Sequence, residues 1–291
     1  MKSSKCIICN AECHESVPYP LNDSNNHSEL MFNTIKLCSI CGFGMAFPRP
    51  SQEALDEYYS AGDYWHSTIS ENIFQEAHEK SQAFWRIQQC KELISAASNI
   101  SVLDVGAGHG VIGEVLADHI SRYDRVEPDA QLAAAFNLQE HNFSSDHFQH
   151  LNDVGSQKYD LIFANHVLEH VIDPESFLEQ LVSHLNPEGI VYIEVPFADW
   201  KFKRDIFPHT LFFTPDAISE LGDGMRLNTL KAESFGISRD AYFNQNRWLS
   251  RLFAFSVRFR IHFLTRWVDG CLWKYQAKNP SGIWLRWIFK K

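Results

Sequence analysis

The stretch Val102-Leu-Asp-Val-Gly-Ala-Gly-His-Gly110 decides the fold, because a short apolar run passes directly into a loop that contains three glycines. The apolar run is typical of a buried strand, and the residues from Val111 onward have the pattern of a helix. Gly106, Gly108 and Gly110 let the backbone turn sharply and approach a ligand without a Cβ in between. Several kinds of nucleotide-binding sheet share such a loop, so by itself it indicates the architecture and not the ligand.

Strand and helix patterns alternate through the middle of the chain. Apolar residues first recur at helical spacing over residues 71–97, so one long helix or two stacked helices lead into the loop. The expected strands cover residues 101–105, 122–127, 159–164 and 190–195, with a weak one near residue 143, and the expected helices cover residues 111–119, 129–138 and 174–185. This alternation predicts an α/β fold in which a Rossmann-like parallel sheet has helices on both faces.

Two acidic residues make the loop more informative. Asp104 lies two residues before the first glycine, where its carboxylate could reach the amino-acid end of a bound cofactor. Glu127 ends the next predicted strand, where a carboxylate accepts hydrogen bonds from ribose hydroxyls. Residue 111 is valine where a dinucleotide-binding loop has glycine, which counts against a dehydrogenase. The alternative is structural, with Asp104 in an ion pair at the strand end and Glu127 as a solvated acid.

Two segments resemble the class I S-adenosylmethionine-dependent methyltransferases. The first is Leu103-Asp-Val-Gly-Ala-Gly-His-Gly110, and the second, Tyr159-Asp-Leu-Ile-Phe-Ala-Asn-His-Val-Leu-Glu-His-Val-Ile-Asp-Pro174, is similar to the fourth-strand segment of the ubiquinone-pathway and sugar methyltransferases. The resemblance covers roughly residues 98–221 and implies S-adenosylmethionine as cofactor. The cofactor-binding residues that it implies are Asp104, Gly106, Ala107, Gly108, Gly110, Glu127, Asp146, Asn165 and His166.

Two C-x-x-C pairs near the N-terminus predict a metal site. Cys6, Cys9, Cys38 and Cys41 supply four thiolates in two turns, and this spacing lets both sulfurs of a turn bind one tetrahedral ion. Structural Zn²⁺ is the expected occupant, because it stabilises segments that are too small to form a core. The alternatives are free buried thiols, or a ligand set in which Cys13 or His14 replaces one of the four. Cys90 and Cys271 are expected to be ordinary core residues.

The same layout, a cysteine module followed by the methyltransferase segments, resembles bacterial enzymes that methylate deoxysugars or other saccharide precursors. The resemblance implies a small-molecule acceptor, a sugar or a nucleotide- or lipid-linked sugar of cell-surface polysaccharide or secondary metabolism. It also implies that the N-terminal module helps to close the substrate site. The predicted divisions are a zinc-binding module (1–50), a helical linker or lid (51–97), the methyltransferase domain (98–245) and a basic aromatic segment (246–291).

Histidines at the carboxyl ends of the later strands are the candidate bases for removing a proton from a hydroxyl acceptor. His170 follows the fourth strand, beside Glu169, which could orient it or raise its pKa. His209 lies in Phe207-Pro-His-Thr-Leu-Phe-Phe-Thr-Pro215, similar to a His-x-x-x-Phe-x-x-Pro segment at the entrance of the acceptor pocket. Either histidine could instead have a structural role. Four aromatic residues are candidate lid residues or interdomain packing: Tyr58, Tyr59, Tyr64 and Trp65.

Charge and hydropathy set the expected location and partners. Residues 1–10 lack the apolar core of a signal peptide and no apolar run reaches 18 residues, so a cytoplasmic protein is expected. Residues 1–246 contain 16 basic and 35 acidic residues, which disfavours nucleic acid as a partner. The competing functions are an RNA methyltransferase with an N-terminal zinc finger and a non-catalytic S-adenosylmethionine-binding protein.

Residues 246–291 have a different composition from the remainder of the chain. Ten lysines and arginines and five of the eight tryptophans lie within residues 247–291, with Asp269 as the only acid. Helical and strand patterns both fit, so periodicity does not decide the secondary structure. The segment is expected either to pack its aromatic side on the domain or to make peripheral contact with the inner face of a membrane.

Overall fold

The computed structural model describes residues 4–21, 30–60, 73–90, 99–135, 142–237, 239–259, 261–276 and 282–291. The strands in these ranges are β1 (Ser4–Lys5), β2 (Glu12–Cys13), β3 (Glu15–Pro18), β4 (Thr34–Leu37), β5 (Gly44–Phe47), β6 (Ile100–Val105), β7 (Ile120–Val126), β8 (His147–Phe148), β9 (Tyr159–Asn165), β10 (Leu185–Pro196), β11 (Leu211–Phe212), β12 (Asn228–Phe235) and β13 (Trp284–Lys290). The helices are α1 (Gln52–Ser60), α2 (Ile73–Gln89), α3 (Val111–Leu116), α4 (Ala130–Ala135), α5 (Pro174–Ser183), α6 (Pro215–Gly224), α7 (Arg239–Gln245), α8 (Arg247–Arg258) and α9 (His262–Gln276). Single 3-10 turns follow β8, β9 and β10, at Leu151–Val154, Leu168–His170 and Asp199–Lys201.

The main sheet has seven strands in the order β12-β13-β10-β9-β6-β7-β8. Strands β6 to β10 pair in parallel, as the alternating pattern predicts, and each expected strand is present with ends shifted by a few residues. The weak third strand is only the two-residue β8. The sheet is not wholly parallel, because β13 runs antiparallel to both β10 and β12. Neither β12 nor β13 was among the expected strands.

Helices cover both faces of the sheet, which confirms the predicted α/β fold class. On one face α2 and α3 pack against buried side chains of β6, β7, β9 and β10. On the other face α5 and α6 do so, with buried residues of β13 in the same cluster. Polar side chains cap the N-termini of two of these helices. Asp173 accepts from two backbone N–H groups of α5, and Thr214 accepts from Ala217 N of α6 at 3.1 Å.

The N-terminal residues form a small module that is docked on the larger part. Its strands β3, β4 and β5 make an antiparallel sheet whose fourth strand, β11, comes from the larger part. Thr214 also donates a hydrogen bond to the carbonyl of Cys41 at 2.6 Å. Ser51 caps α1 by accepting from Ala54 N at 3.2 Å. The predicted segment boundaries stay predictions, and Tyr64 and Trp65 lie outside the described residues.

The basic aromatic segment contains the two helices α8 and α9 and ends in β13. The two helices are joined by a hydrogen bond from the Thr265 hydroxyl to the Ser256 hydroxyl at 3.0 Å, and α9 packs on α2. A single amphipathic helix would place Thr265 on its polar side, but Thr265 is 2% exposed and Phe263 is 77% exposed. In the part of the chain that the structure describes, no helix combines the length and hydropathy needed to cross a bilayer.

Candidate active site

The glycine loop lies at the carboxyl end of β6, between β7 and β9. Backbone N–H groups of Gly106 and Ala107 donate to the carbonyl of Val126, which holds the loop against the end of β7. Gly106 has a φ of +70°, and a Cβ there would lie 2.5 Å from Val167 Cγ2. Gly108 has a φ of +52°, with no heavy atom within 4 Å of the Cβ position. The loop therefore needs glycine at both positions and leaves open space beside Gly108.

Asp104 is buried beneath this loop. Its carboxylate accepts a hydrogen bond from the Tyr123 hydroxyl at 2.6 Å. Burial raises the pKa of Asp104 to about 7, an effect that the hydrogen bond from Tyr123 and the charge of Arg86 offset only in part. The sequence placed Asp104 at the loop, but its bond to Tyr123 on the neighbouring strand was not foreseen.

This raised pKa predicts how stability depends on pH. In the unfolded chain Asp104 titrates near 3.8, so between about pH 4 and pH 7 the folded protein keeps a proton that the unfolded chain has lost. Stability should therefore fall as pH rises through this window, on the order of 1.4 kcal/mol per unit of pKa difference. Urea unfolding of the ligand-free protein should show a smaller fall in Asp104→Asn. Tyr123→Phe removes a hydrogen bond that lowers the pKa of Asp104, so the upper end of the window should move to higher pH. Equal slopes of unfolding free energy against pH in wild type and Asp104→Asn would contradict the assignment.

Glu127 lies just past the end of β7 and faces the loop. Its carboxylate accepts hydrogen bonds from Gly108 N at 2.9 Å and Asp129 N at 3.0 Å. Glu127 is buried, which excludes the alternative of a solvated acid. Burial also raises its pKa above the usual value, although the two backbone donors oppose this effect. One carboxylate thus links the glycine loop to the turn that starts α4.

Asp146 is placed differently from Glu127. It precedes β8, its side chain pairs with Arg122, and its backbone N–H donates to Asp124 Oδ1 at 2.8 Å. The β7–β8 register puts it about three residues, or about 10 Å, below the carboxyl edge of the sheet. The side chain is also 60% exposed. The structure therefore does not bring Asp146 to the glycine loop, and the reason is that β8 starts later than the sequence suggests.

Asn165 and His166 end β9 beside the loop. Asn165 Oδ1 is buried and has no hydrogen-bond partner among the described residues, so it is available to a ligand. His166 has a φ of +56° and its ring lies between two buried carboxylates, 3.3 Å from Glu169 Oε1 and 3.5 Å from Glu194 Oε1. Burial lowers the pKa of His166, but the two carboxylates outweigh burial and raise it above its usual value. The two carboxylates therefore favour the protonated form of His166 at the edge of the site.

The three candidate catalytic side chains lie together next to His166. Glu169 is 1% exposed, His170 Nε2 is 3.9 Å from its Oε1, and the rings of His170 and His209 are 5.0 Å apart between centroids. One ligand atom of each residue lies within 4.8 Å of the others, a spacing that would also allow them to bind a cation. Burial lowers the pKa of His170 to about 3, so this imidazole is neutral near pH 7.

Two residues orient these histidines. Asp199, buried in the turn after β10, has Oδ2 3.1 Å from His209 Nδ1, which is an ion-pair distance, although Nδ1 makes no hydrogen bond of good geometry with the described residues. The Tyr59 hydroxyl, at the end of α1, is 2.7 Å from His170 Nδ1. A carboxylate at Nδ1 leaves the Nε2 atom of His209 as the nitrogen that can take a proton. Tyr59 was expected as a lid aromatic, whereas the sequence carries no local signal for Asp199.

A buried ion pair beneath the site was also missed. Arg86 of α2 donates to Glu194 Oε1 at 2.6 Å, and Tyr192 donates to Glu194 Oε2 at 2.9 Å. Arg286 of β13 donates to the Tyr192 hydroxyl at 2.9 Å, which extends the network to the last strand. A glutamate in the otherwise apolar strand segment 190–195 was the available signal, because buried charges are rare unless they are paired.

The two C-x-x-C turns of the N-terminal module come together. All four sulfurs lie within 4.8 Å of one another, with Cys6 Sγ 3.7 Å from Cys41 Sγ and Cys9 Sγ 3.4 Å from Cys38 Sγ. Backbone N–H groups of residues 8 and 9 donate to the Cys6 sulfur, and those of residues 40 and 41 to the Cys38 sulfur. Such bonds favour thiolates, so the donor set fits a tetrahedral Zn²⁺. Cys13 is buried outside this group of four.

The module contacts the chain on both sides of His209. The Tyr19 hydroxyl lies 2.9 Å from the His209 carbonyl and 3.1 Å from the Ile206 carbonyl. Pairing of β5 with β11 holds the residues that follow, and the ring of Phe43 packs on Phe213 at 5.1 Å between centroids. The loop that carries His209 is therefore fixed by the cysteine-containing module as well as by the main sheet.

The chain is similar to known proteins over the segment that contains the candidate active site. A model of the methyltransferase domain family matches residues 78–268. The ubiquinone biosynthesis O-methyltransferase of Rickettsia canadensis (strain McKiel) is 31% identical over 101 residues, which are 33% of this chain and 42% of that protein. The protein of the same name from Bordetella avium (strain 197N) is 25% identical over 147 residues, 48% of this chain and 59% of its own length. The chain thus spans about half the length of these relatives.

The chain also aligns with solved structures of methyltransferases. An S-adenosylmethionine-dependent methyltransferase from Clostridium acetobutylicum ATCC 824 aligns with 80% of this chain and 98% of its own, with 12% identity and a TM-score of 0.47. A plantazolicin methyltransferase aligns with 81% of this chain and 90% of its own, with 16% identity and a TM-score of 0.45.

Proposed function

The chain belongs to the methyltransferase domain family, and on that premise we propose that it transfers the methyl group of S-adenosylmethionine to a hydroxyl of a small-molecule acceptor. The observation that carries the proposal is the arrangement of two groups at one edge of the sheet. The glycine loop with Glu127 lies at the ends of β6 and β7, and the Glu169, His170 and His209 cluster follows β9 and β10. Ligands of open α/β sheets bind at this edge.

The loop residues fit the cofactor. Gly108 leaves room for close approach of a ligand, Glu127 presents a carboxylate for ribose hydroxyls, and the Asn165 oxygen is buried without a partner among the described residues. Asp104, Gly106, Ala107, Gly110 and His166 complete the proposed cofactor site. S-adenosylmethionine supplies an electrophilic methyl group when it is bound, so the protein has to align the acceptor and remove its proton.

His209 is the proposed general base. With Asp199 close to its Nδ1, His209 would use Nε2 to accept the proton of the acceptor hydroxyl, while the bound cofactor would supply the methyl group and retain the sulfur as the leaving group. His170 is the weaker base, since its pKa of about 3 makes protonation near neutral pH unfavourable. Its proposed role, with Glu169, is to shape the pocket and fix the acceptor hydroxyl beside His209.

The acceptor that we propose is a saccharide, free or attached to a nucleotide or a lipid carrier. The support is the sequence layout of a cysteine module before the methyltransferase segments. The relatives from Rickettsia canadensis and Bordetella avium are named as O-methyltransferases, which agrees with a hydroxyl acceptor. Zn²⁺ bound by Cys6, Cys9, Cys38 and Cys41 would have a structural role, because the cluster lies apart from the histidines. The reaction would take place in the cytoplasm.

The cofactor site is tested by a matched pair of acidic variants. Glu127→Ala removes a carboxylate at the loop and is expected to weaken S-adenosylmethionine binding about ten- to a hundredfold, because one charge-assisted contact is lost. Asp146→Ala is the control, since the structure places Asp146 away from the loop. Isothermal titration, with thermal unfolding to check the fold, measures both. An unchanged affinity in Glu127→Ala, or a loss in Asp146→Ala instead, would overturn the assignment.

The same preparation separates the competing functions. Release of S-adenosylhomocysteine is measured with nucleotide-linked sugars, lipid-linked sugars and ribosomal RNA as acceptors. Turnover only with sugars supports the proposal, and turnover only with RNA refutes the saccharide acceptor. Cofactor binding without turnover on any acceptor would favour a non-catalytic binding protein.

A further inference from the structure

The outer side of α8 and α9 forms a surface that we call the aromatic–arginine face. Its aromatic members are exposed, and they are Trp248, Phe255, Phe259, Phe263 and Trp267. Three exposed arginines of α8 lie among them: Arg247, Arg251 and Arg258. Five large aromatic side chains exposed on one pair of helices exceed what a solvated surface needs, since exposed apolar residues normally occur singly.

The geometry makes these side chains one continuous surface. The rings of Trp248 on α8 and Trp267 on α9 are 6.4 Å apart between centroids, which joins the two helices. The rings of Phe255 and Phe259 are 4.6 Å apart, and the guanidinium of Arg258 lies 5.9 Å from the Phe259 ring. On α8 the exposed aromatic residues and arginines recur at helical spacing, so they share one side of the helix.

The opposite side of the helix pair is covered by α7 and by contacts between the two helices. Leu249, Val268 and Leu272 are buried there in one cluster with Tyr242, and the Ser256 and Thr265 hydroxyls pair between the helices. Helix α9 packs on α2, and β13 follows in the main sheet. The pair is thus anchored by its inner side, so the aromatic–arginine face is held in a fixed orientation toward the surroundings.

We propose that the aromatic–arginine face docks on the surface of a bilayer that contains anionic lipids. Aromatic rings partition into the interface between head groups and acyl chains, and arginines beside them pair with lipid phosphates. The charge distribution supports this partner, because the helix-pair segment, residues 247–276, has six basic residues and one acid while residues 1–246 are strongly acidic. An anionic surface would repel the other sides of the protein, so only this face would be presented.

A second copy of the chain fits the face less well. In a two-fold contact this face would meet an identical face, whose named members include three arginines and no acid, so the arginines would find no opposite charge there. A lipid surface instead supplies both the apolar layer and the opposite charge. Docking does not depend on the proposed methyl transfer, because lipid binding has its own readout.

Sedimentation of the full chain with vesicles tests the proposal. The vesicles are phosphatidylcholine alone, or equal parts of phosphatidylcholine and phosphatidylglycerol, at low and high salt. Wild type should pellet with the anionic vesicles at low salt, and binding should fall at high salt because salt screens the arginines. Absence of sedimentation with anionic vesicles at low salt would overturn the proposal. So would a concentration-dependent dimer in light scattering that Phe259→Ala with Phe263→Ala converts to monomer.

Two pairs of variants assign the contact to this face. Phe259→Ala with Phe263→Ala, and separately Arg251→Gln with Arg258→Gln, should each weaken anionic-vesicle binding about tenfold or more. The matched controls are Met31→Ala with Leu230→Ala, which are exposed apolar residues elsewhere, and Lys158→Gln with Arg204→Gln. All variants are checked for S-adenosylmethionine binding and thermal unfolding. Equal loss in the control variants would show that sedimentation does not come from this face.

Discussion

His209→Ala is expected to lower methyl transfer about 10²- to 10⁴-fold, the usual contribution of a general base, with S-adenosylmethionine affinity near that of wild type. The reason is that Asp199 holds the His209 ring and leaves Nε2 free for the acceptor proton. The glycine loop is not among the contacts of His209 described above, so cofactor binding should be spared. Initial rates of S-adenosylhomocysteine release measure the first effect, and isothermal titration measures the second.

Asp199→Asn provides a graded test of the same idea. It keeps the size of the side chain but removes the charge beside His209 Nδ1, so turnover should fall by less than in His209→Ala and its pH profile should change. His150→Ala, at an exposed histidine near β8, is the control and should keep wild-type turnover. Full activity in His209→Ala would reject the base assignment, and loss of cofactor binding in that variant would make the histidine structural.

Removal of the cysteine ligands is expected to have the second large effect. Wild-type protein should contain about one zinc per chain, and the double variant Cys38→Ser, Cys41→Ser should contain none, because two of the four thiolates are lost. Structural zinc contributes on the order of 10 kcal/mol to the folding of a small module, so residues 4–50 should unfold first. Metal analysis and hydrogen exchange measure the two results.

The double variant Cys38→Ser, Cys41→Ser should also have lower turnover than wild type, for a structural reason. The Tyr19 hydroxyl donates to the carbonyls of Ile206 and His209, and the Thr214 hydroxyl donates to the carbonyl of Cys41. Unfolding of the module would release that loop, whereas Glu127 and the glycine loop would keep their contacts. Cys13→Ser is the matched control, since Cys13 is buried nearby but lies outside the four-cysteine group. Unchanged zinc content in the double variant would remove the zinc assignment.

The larger part of the fold was predictable because its information is local. The strand, glycine loop and helix around Gly106 lie within a short segment, and the alternation after it repeats the same unit. The helix caps at Ser51, Asp173 and Thr214 are local in the same sense, since a capping side chain bonds to backbone a few residues away. The pairing of β13 was not visible, because antiparallel pairing with β10 joins residues that are far apart in sequence.

The candidate site also has residues that the sequence predicted and residues that it did not. Residue types and spacing determined the glycine loop, Glu127 at the next strand end and the two C-x-x-C turns, since each ligand set lies on one or two local turns. Asp146 was chosen from a strand pattern too short to fix its register, and the structure puts it below the edge of the sheet. The partnership of His209 with Asp199 and of His170 with Tyr59 needed the folded chain.

The sequence by itself thus determined the α/β fold class, the predicted cofactor loop and the four-cysteine cluster, all of which depend on neighbours along the chain. Only the tertiary structure decided which carboxylate lies beside each histidine and which side of α8 and α9 is covered. Periodicity shows which residues share a face of a helix, but the packing of α9 on α2 determines which face meets the domain. That packing leaves the aromatic residues outside and Thr265 inside.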